Sequence, residues 1–375
     1  MAGADRQVRL GIVGLGGMGS HHLRNAGTIA GVRVTAVCDT DPSKTAVAGE
    51  QGAARFSDHE RLMDAGLVDA VLIATPHFQH VPVALAAFER GLHVLTEKPV
   101  AVHVEDVRRM TDAHEKARAR TPGLLFAAMF QQRTLAVWRK VKELLDAGQL
   151  GRIIRATWIV TDWFRPQAYF ANGWRGTWKG DGGGVLMNQS PHQVDLLWWF
   201  CGLPSRVHGF AGFGKYHDIE VEDEVTAYFE YPDGSIGHFI TSTSEHPGTN
   251  RLEISGEMGR LVVEGDLVRW HRNAVSTREF IRSEKAAFSS PACAEVPLVP
   301  EAQEGSPHRA LLANFVDAIL RGERLVAPAA EGINSVMMAN AVILSALRGK
   351  SVDMPLRGGE LASLVAERQA GGARG

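Results

Sequence analysis

The fold of this 375-residue chain is decided by residues 8–19, VRLGIVGLGGMG. The apolar run Val8–Val13 predicts a buried strand, and the glycines after it lead into a stretch with helical spacing. Such glycines permit a tight turn and let backbone N–H groups approach a pyrophosphate at a helix N-terminus. We therefore predict a dinucleotide-binding turn. Its cofactor-contacting residues are expected to be Gly14, Gly16, Gly17, Met18 and Gly19.

The second apolar run, Val32–Cys38, is followed by an acidic residue. Asp39 stands close to the roughly 20-residue offset at which dinucleotide-binding folds place a ribose-binding acid. Its carboxylate is expected to bind the ribose hydroxyls and to repel a 2′-phosphate, which favours NAD over NADP. Lys44 is near enough in sequence to weaken that preference. NAD is therefore the predicted cofactor.

Strand and helix patterns alternate through the first third of the chain. Further continuous apolar runs predict buried parallel strands at 69–75, 92–96 and 124–129. Amphipathic stretches predict helices at 81–90 and 104–120. This alternation predicts an α/β fold in which residues 1–130 form an NAD-binding Rossmann domain, a doubly wound parallel sheet with right-handed crossovers.

Longer alternating strands and hairpin turns are typical of the rest of the chain. Turn signals stand at Pro232-Asp233-Gly234 and Glu257-Met258-Gly259. Residues 131–375 are therefore expected to form an α+β domain for substrate binding and oligomerisation, with a large, mainly antiparallel sheet built from consecutive strands. Residues 280–305 are rich in Ser, Pro, Ala and Glu and predict a long surface loop.

Composition excludes several classes of function. The net charge of -2, with acids and bases interspersed, argues against a nucleic-acid partner. The three cysteines are isolated in sequence, as expected in a reducing compartment, and no apolar run suggests a membrane span. A cytoplasmic protein without a membrane partner is expected.

Histidines are numerous, and some are close in sequence. His77 and His80 are three residues apart, and His21 and His22 adjoin the glycine turn. None of them has a carboxylate or cysteine partner at metal-ligand spacing, and hydride transfer to nicotinamide needs no metal. We expect no metal site.

Lys98 lies at the end of a predicted strand, in Thr96-Glu97-Lys98-Pro99. A lysine at such a position is most often a solvated edge charge. The dinucleotide signature before it favours a functional role, because open α/β sheets bind ligands at the carboxyl ends of their strands.

Several of these motifs together resemble the glucose–fructose oxidoreductase/inositol dehydrogenase family. They are the glycine turn, Ala74-Thr75-Pro76, Glu97-Lys98-Pro99, residues 182–195 (GGGVLMNQSPHQVD) and residues 254–259 (ISGEMG). The resemblance implies that Lys98 contacts the reacting hydroxyl beside the nicotinamide and that His192 assists as acid or base. It also implies a homodimer or homotetramer assembled through the large sheet. Further cofactor-binding residues implied by the resemblance are Thr75, Pro76, His77, His80, Glu97 and Lys98 itself.

The chain departs from the family pattern at one position. The family often carries an aspartate four residues before the histidine, where this chain has Asn188. Residues four apart on a helix share a face, so Asn188 and His192 are expected to point into one site. An amide can orient a hydroxyl but cannot accept a proton at neutral pH, so proton transfer is expected to fall to Lys98 or His192.

Aromatic and basic residues crowd two segments ahead of this motif, residues 163–170 and 174–179. Flat aromatic faces suit the C–H faces of a pyranose, and arginines bind hydroxyls or an anionic group in a bidentate manner. Packing at a domain interface is the alternative role for these rings. The predicted substrate-binding residues are Lys98, Trp163, Arg165, Trp174, Trp178, Asn188 and His192.

Three functions agree with these features. The leading one is NAD-dependent hydride transfer at a secondary hydroxyl of a sugar, cyclitol or glycoside. The alternative is a glycoside hydrolase that keeps its NAD through oxidation, elimination, water addition and re-reduction, with an anionic glycoside such as a sulfoquinovoside or a uronate as substrate. A non-catalytic NAD sensor or scaffold is the third.

Overall fold

A computed structural model describes residues 6–50, 52–171, 173–298, 300 and 305–371, with side chains to residue 367. Its strands are β1 Val8–Val13, β2 Val32–Cys38, β3 Ala54–Phe56, β4 Ala70–Ile73, β5 His93–Thr96, β6 Phe126–Ala128, β7 Ile153–Val160, β8 Arg206–Phe213, β9 Glu222–Glu230, β10 Ile236–Ser242, β11 Asn250–Gly256, β12 Gly259–Glu264, β13 Leu267–Asn273, β14 Cys293–Pro297 and β15 Val352–Asp353. Its α-helices are α1 Gly17–Ala26, α2 Ala46–Glu50, α3 His59–Asp64, α4 His80–Glu89, α5 Val104–Arg120, α6 Ala136–Asp146, α7 Val185–Asn188, α8 Pro191–Cys201, α9 Thr277–Ser283, α10 Pro307–Arg321, α11 Gly332–Arg348 and α12 Glu360–Gly371.

The first sheet is parallel throughout, with strand order β3-β2-β1-β4-β5-β6. Its central strands are continuous apolar runs; all of β4, for example, is buried, as expected where helices cover both faces. This confirms the predicted Rossmann sheet. Because β1 lies between β2 and β4, the chain order reverses beside β1, and such a switch point is where doubly wound sheets bind their ligands.

The second sheet is mainly antiparallel, as predicted, with strand order β14-β13-β12-β11-β7-β10-β9-β8-β15. The expectation that it follows chain order is wrong at β7, which lies between β11 and β10 and runs parallel to β10. A parallel pair needs a long crossover, and here the crossover includes α7, α8, β8 and β9. The predicted surface loop at 280–305 is also wrong in part, because β14 pairs with β13. Residues 299 and 301–304 of that loop lie outside the described residues.

The chain forms two compact units, residues 1–134 with 304–336 and residues 135–303 with 337–375. The sequence placed all of 131–375 in one domain, whereas 304–336 returns to the first unit. Helix α10 causes this return, because it packs its apolar side against α1 and β1. The buried guanidinium of Arg133 forms an ion pair with Glu331 and attaches the returning segment to the end of the first stretch.

Among the residues that the structure describes, one helical stretch, Ala329–Arg348, is long and apolar enough to cross a membrane by length and composition. The sequence did not predict a run of that length. In the structure 67% of its apolar window is buried inside the protein.

Candidate active site

The glycine turn is closed on its inner side and open on its outer side. Gly14 has φ +91°, and a Cβ there would lie 2.6 Å from the carbonyl oxygen of Ala74. A Cβ on Gly19 would lie 1.8 Å from the carbonyl oxygen of Gly14, whereas one on Gly16 or Gly17 would meet no atom within 4 Å. The buried Thr75 hydroxyl beside this turn has no hydrogen-bond partner among the described residues. This open N-terminus of α1 fits the pyrophosphate of a dinucleotide.

Asp39 is held against the glycine turn. Its Oδ2 accepts the Leu15 backbone N–H at 2.7 Å, and its Oδ1 accepts the Asp41 backbone N–H at 2.9 Å. The Lys44 ammonium lies 3.7 Å from Oδ1. Each carboxylate oxygen has a second lone pair, so the fixed group can still accept ribose hydroxyls. The same geometry places Lys44 where it can reduce the discrimination against NADP.

We expect Asp39→Ala to lower the preference for NADH over NADPH. Hydrogen bonds to a charged group contribute about 1.5–3 kcal/mol, so losing the carboxylate should weaken NADH binding at least about tenfold. Calorimetric titration of both cofactors measures the ratio of their Kd values. Asp41→Ala, which removes the same charge two residues further on, is the control. An unchanged NADH/NADPH ratio in the Asp39 variant would refute the assignment.

The segment that carries Lys98 is held by buried side chains on both sides. Glu97 accepts a hydrogen bond from His22, with Oε1 and Nε2 2.6 Å apart, and its Oε2 accepts the Lys98 backbone N–H at 3.1 Å. The fully buried ring of His80 lies between two carbonyl oxygens, 2.8 Å from that of Pro99 and 3.0 Å from that of Thr75. Lys98 itself is half-buried at the end of β5.

Burial and hydrogen bonding together set the pKa values of the ionisable groups in this segment. Burial alone disfavours the charged form of Glu97, but the His22 hydrogen bond and the electrostatic interactions with His22 and Lys98 outweigh it and lower the pKa of Glu97. Burial also lowers the pKa of His80. Glu97 is therefore a buried carboxylate beside Lys98.

In the second unit, Asn188 and His192 do not share one helix, contrary to the sequence expectation. Helix α7 ends at Asn188, and α8 begins at Pro191. Proline has no N–H to continue a preceding helix and is favoured in the first turn of a new one. The four-residue spacing therefore does not define a common face. His192 lies buried in the first turn of α8.

Tyr169 organises the predicted substrate residues of the second unit. Its hydroxyl donates to Asn188 Oδ1 at 3.3 Å, and the Asn188 amide donates to the buried Asp181 carboxylate at 2.8 Å. The guanidinium groups of Arg165 and Arg175 lie 5.1 and 4.2 Å from the centroid of the Tyr169 ring. Arg175 also lies 5.1 Å from the ring of Trp174. We call Arg165, Tyr169, Arg175, Trp174 and Asn188 the tyrosine cluster.

The structure sorts the sequence-predicted residues into groups. In the first unit, the residues predicted to bind the cofactor follow the carboxyl ends of β1, β2, β4 and β5. In the second unit, Arg165, Trp174 and Asn188 meet in the tyrosine cluster, whereas the Trp178 ring packs against Phe213 and the Trp163 indole nitrogen is buried. Across the described part of the chain, no group of three His, Cys, Asp or Glu side chains could hold a metal ion.

Some residues of these groups were not predicted individually. They are Tyr169, Arg175, Asp181 and His22. His22 had a detectable signal, because Gly19, His22 and Ala26 form the buried stripe of α1 and a buried imidazole needs a polar partner. The sequence gives no indication that the partner is Glu97.

Glu222 is a fully buried carboxyl group close to this second-unit site. Its Oε1 accepts the Leu186 backbone N–H at 3.2 Å at the start of α7. Burial raises the pKa of Glu222 to about 7, and the charge of Asp181 acts in the same direction, whereas backbone hydrogen bonds oppose the rise. Ionising this side chain therefore costs more in the folded protein than in the unfolded chain.

We expect Glu222→Gln to stabilise the protein in alkaline but not in acidic solution. A raised folded-state pKa means that wild-type stability is fully present below the unfolded pKa of about 4.5 and is lost as pH rises through about 7. The difference between variant and wild type should approach about 3 kcal/mol above that range. Urea unfolding at several pH values measures it, with the exposed-residue variant Glu279→Gln as the control. Parallel pH profiles for wild type and the Glu222 variant would contradict the prediction.

Two family models match the chain. Residues 8–121 match the oxidoreductase family with an NAD-binding Rossmann fold, and residues 138–262 match the GFO/IDH/MocA C-terminal domain. Together these matches confirm the predicted family and its NAD cofactor.

Individual relatives are similar to this chain over most of its length. It is 27% identical over 290 residues to scyllo-inositol 2-dehydrogenase (NAD(+)) of Bacillus subtilis strain 168, covering 73% of this chain and 78% of that protein. It is 28% identical over 358 residues to inositol 2-dehydrogenase of Rubrobacter xylanophilus, covering 93% and 94%. The WlbA dehydrogenase from Bordetella pertussis, solved with NADH and UDP-GlcNAcA, has a TM-score of 0.76 and 28% identity, covering 94% of this chain and 100% of that one. The chain thus belongs to the GFO/IDH/MocA family of NAD-dependent oxidoreductases.

Proposed function

We propose that this protein is an NAD-dependent dehydrogenase or reductase acting at a secondary hydroxyl of a sugar, cyclitol or glycoside. The observation that carries the proposal is the placement of Lys98 at the carboxyl end of β5, in the same sheet edge as the glycine turn and Thr75. Relatives named for inositol oxidation support a polyhydroxylated substrate.

We assign acid–base catalysis to Lys98 and His192. NAD, when bound, supplies hydride transfer at the nicotinamide. The Lys98 ammonium would donate a hydrogen bond to the reacting oxygen and favour its negative charge during oxidation. His192 would take the hydroxyl proton, since an imidazole needs little tuning to act near neutral pH. Asn188, whose amide is fixed by Asp181 and Tyr169, would orient the substrate.

The tyrosine cluster supports a substrate that combines a ring with polar or anionic groups. Arg165 and Arg175 each lie close to the Tyr169 ring, so two positive charges stand around one aromatic face. Guanidinium groups match carboxylates and other oxyanions in geometry and charge. We therefore include sugar acids among the candidate substrates.

Incubation with NAD⁺ and a panel of cyclitols, free sugars and sugar acids, including scyllo-inositol, tests the proposal. Accumulation of NADH with one of them is the expected result. If none yields NADH and none of the matching ketones consumes it, net oxidoreduction is refuted.

The redox glycoside hydrolase is the second candidate. Asn188 favours it, because an amide cannot serve as a base and the chain therefore departs from the dehydrogenase pattern, which has an aspartate at this position. A chromogenic glycoside panel, including an anionic sulfoquinovoside, separates the two activities. Aglycone release without net NADH would establish the hydrolase, and NADH formation from a free sugar would establish the dehydrogenase.

We also propose that copies of the chain associate through the large sheet in the cytoplasm. Its solvent-facing side carries apolar groups such as Phe210 and Ile154, which are exposed in the single chain. A homodimer or homotetramer would cover them. The isolated cysteines support the reducing location.

A further inference from the structure

A buried chain of contacts joins the helix of the glycine turn to the strand end that carries Lys98. His22 lies on α1 and is completely buried, and its Nε2 is 2.6 Å from Glu97 Oε1. The other carboxylate oxygen of Glu97 accepts the backbone N–H of Lys98. Both oxygens of Glu97 are thus committed, one to each element.

The direction of the first hydrogen bond follows from its chemistry. An ionised carboxylate can only accept, so the His22 Nε2 must carry a proton and donate it. His22 Nδ1 is buried and has no hydrogen-bond partner among the described residues, which agrees with the proton lying on Nε2. His22 therefore acts as the N–H donor that compensates the burial of the Glu97 charge.

Other charged and titratable groups surround the pair. His21 and Arg24 lie on the same helix as His22. His308 comes from α10, and its ring centroid lies 5.8 Å from that of His22 and 5.0 Å from that of His21. Burial lowers the pKa of His308 to about 4 and also lowers that of His21. Burial thus disfavours the charged form of both rings, whereas the Lys98 ammonium acts on Glu97 from the strand end and favours its ionised form.

We propose that His22 is a positioning residue for Lys98: by donating to Glu97, it holds a buried negative charge beside the lysine and fixes the lysine backbone. The inference rests on the proposed function, in which Lys98 handles the substrate oxygen. The anion compensates the charge of the lysine ammonium.

The proposal can be tested without a substrate by measuring the protonation of the Lys98 amine. Lys98 is acylated by an N-hydroxysuccinimide ester across a pH series, and peptide mass spectrometry measures the extent of labelling. Only the neutral amine reacts. In His22→Leu the Glu97 charge loses its donor, so the pH of half-maximal labelling should fall by about one unit or more. Glu97→Gln should give the same shift, and it remains informative if the leucine variant does not fold. His22→Gln, which restores an N–H, should stay near wild type.

A purely structural role for His22 predicts a different result. Loosened packing would expose Lys98 to water and relieve its desolvation, so the pH midpoint of labelling would stay in place or rise rather than fall. His114→Gln is the matched control, because His114 is another buried histidine of this unit, bonded to the Leu124 carbonyl rather than to Glu97. An unmoved midpoint in Glu97→Gln, or equal shifts in His22→Gln and His22→Leu, would overturn the proposal.

Kinetics give the second readout. A misplaced Lys98 should lower kcat by up to about 100-fold in His22→Leu, while NADH affinity stays within a fewfold of wild type. This result is distinguishable from a failure of the proposed function. If Lys98→Met retains turnover, the function of Lys98 is wrong, whereas the labelling midpoint reports on His22 and Glu97 independently of turnover.

Discussion

Lys98→Met is expected to abolish turnover while leaving NADH binding nearly unchanged. Methionine keeps much of the length of the apolar stem but has no ammonium to donate a hydrogen bond to the substrate oxygen, so it cannot support the proton transfer to His192. Positioned acid–base groups contribute about 10²–10⁴-fold to enzymatic rates, so kcat should fall within or beyond that range. Stopped-flow measurement of hydride transfer and fluorescence titration with NADH separate the two effects.

The control for Lys98→Met is Lys116→Met. Lys116 is an exposed lysine on α5 in the same unit, so this variant makes the same chemical change away from the strand ends. It should retain wild-type kcat and KM. Near-normal turnover in the Lys98 variant would remove the lysine from the mechanism. A comparable loss in both variants would show that the effect is not specific to the strand end.

The fold was predictable wherever short-range patterning determines it. The predicted bounds of Val8–Val13, Val32–Cys38 and Val104–Arg120 agree with the observed elements, because a continuous buried run or an amphipathic helical pattern is visible in consecutive residues. The position of β7 between β11 and β10 was not predictable in this way. Strand order depends on pairings between residues 81 to 103 positions apart, which no local pattern encodes.

The candidate site shows the same division. The glycine turn, Asp39 and Lys98 are recognisable because each stands directly after an apolar run, where its backbone position follows from the strand. The partners that fix these residues come from elsewhere in the chain: His22 reaches Glu97 across 75 positions. Tyr169 reaches Asn188 across 19 positions and a change of element. Residue type and spacing indicate the reacting groups, whereas their orientation depends on tertiary contacts.

Substitutions in the glycine turn are also expected to have large effects. Gly19 is needed for close packing of the backbone, whereas Gly16 leaves space for a ligand. We expect Gly19→Ala to destabilise the first unit strongly. Its methyl group would lie 1.8 Å from the Gly14 carbonyl oxygen, and no side-chain rotation can relieve a clash with backbone. Forcing extra volume into such a contact should cost about 3 kcal/mol or more. Thermal and urea unfolding without cofactor measure this loss.

Gly16→Ala is expected to do the opposite: fold normally and bind NADH poorly. Gly16 has φ -65° and ψ -163°, a conformation open to alanine, and its methyl group would meet no protein atom within 4 Å. That open space is where the pyrophosphate should approach the backbone, so Kd for NADH should rise about 10- to 100-fold with stability changed by less than about 1 kcal/mol.

If Gly16→Ala binds NADH as wild type does, the pyrophosphate does not lie against this face of the turn. If Gly19→Ala is as stable as Gly16→Ala, the close contact relaxes at little cost. Only a loss of stability in one variant and of affinity in the other agrees with a turn packed on its inner side and reserved for a ligand on its outer side.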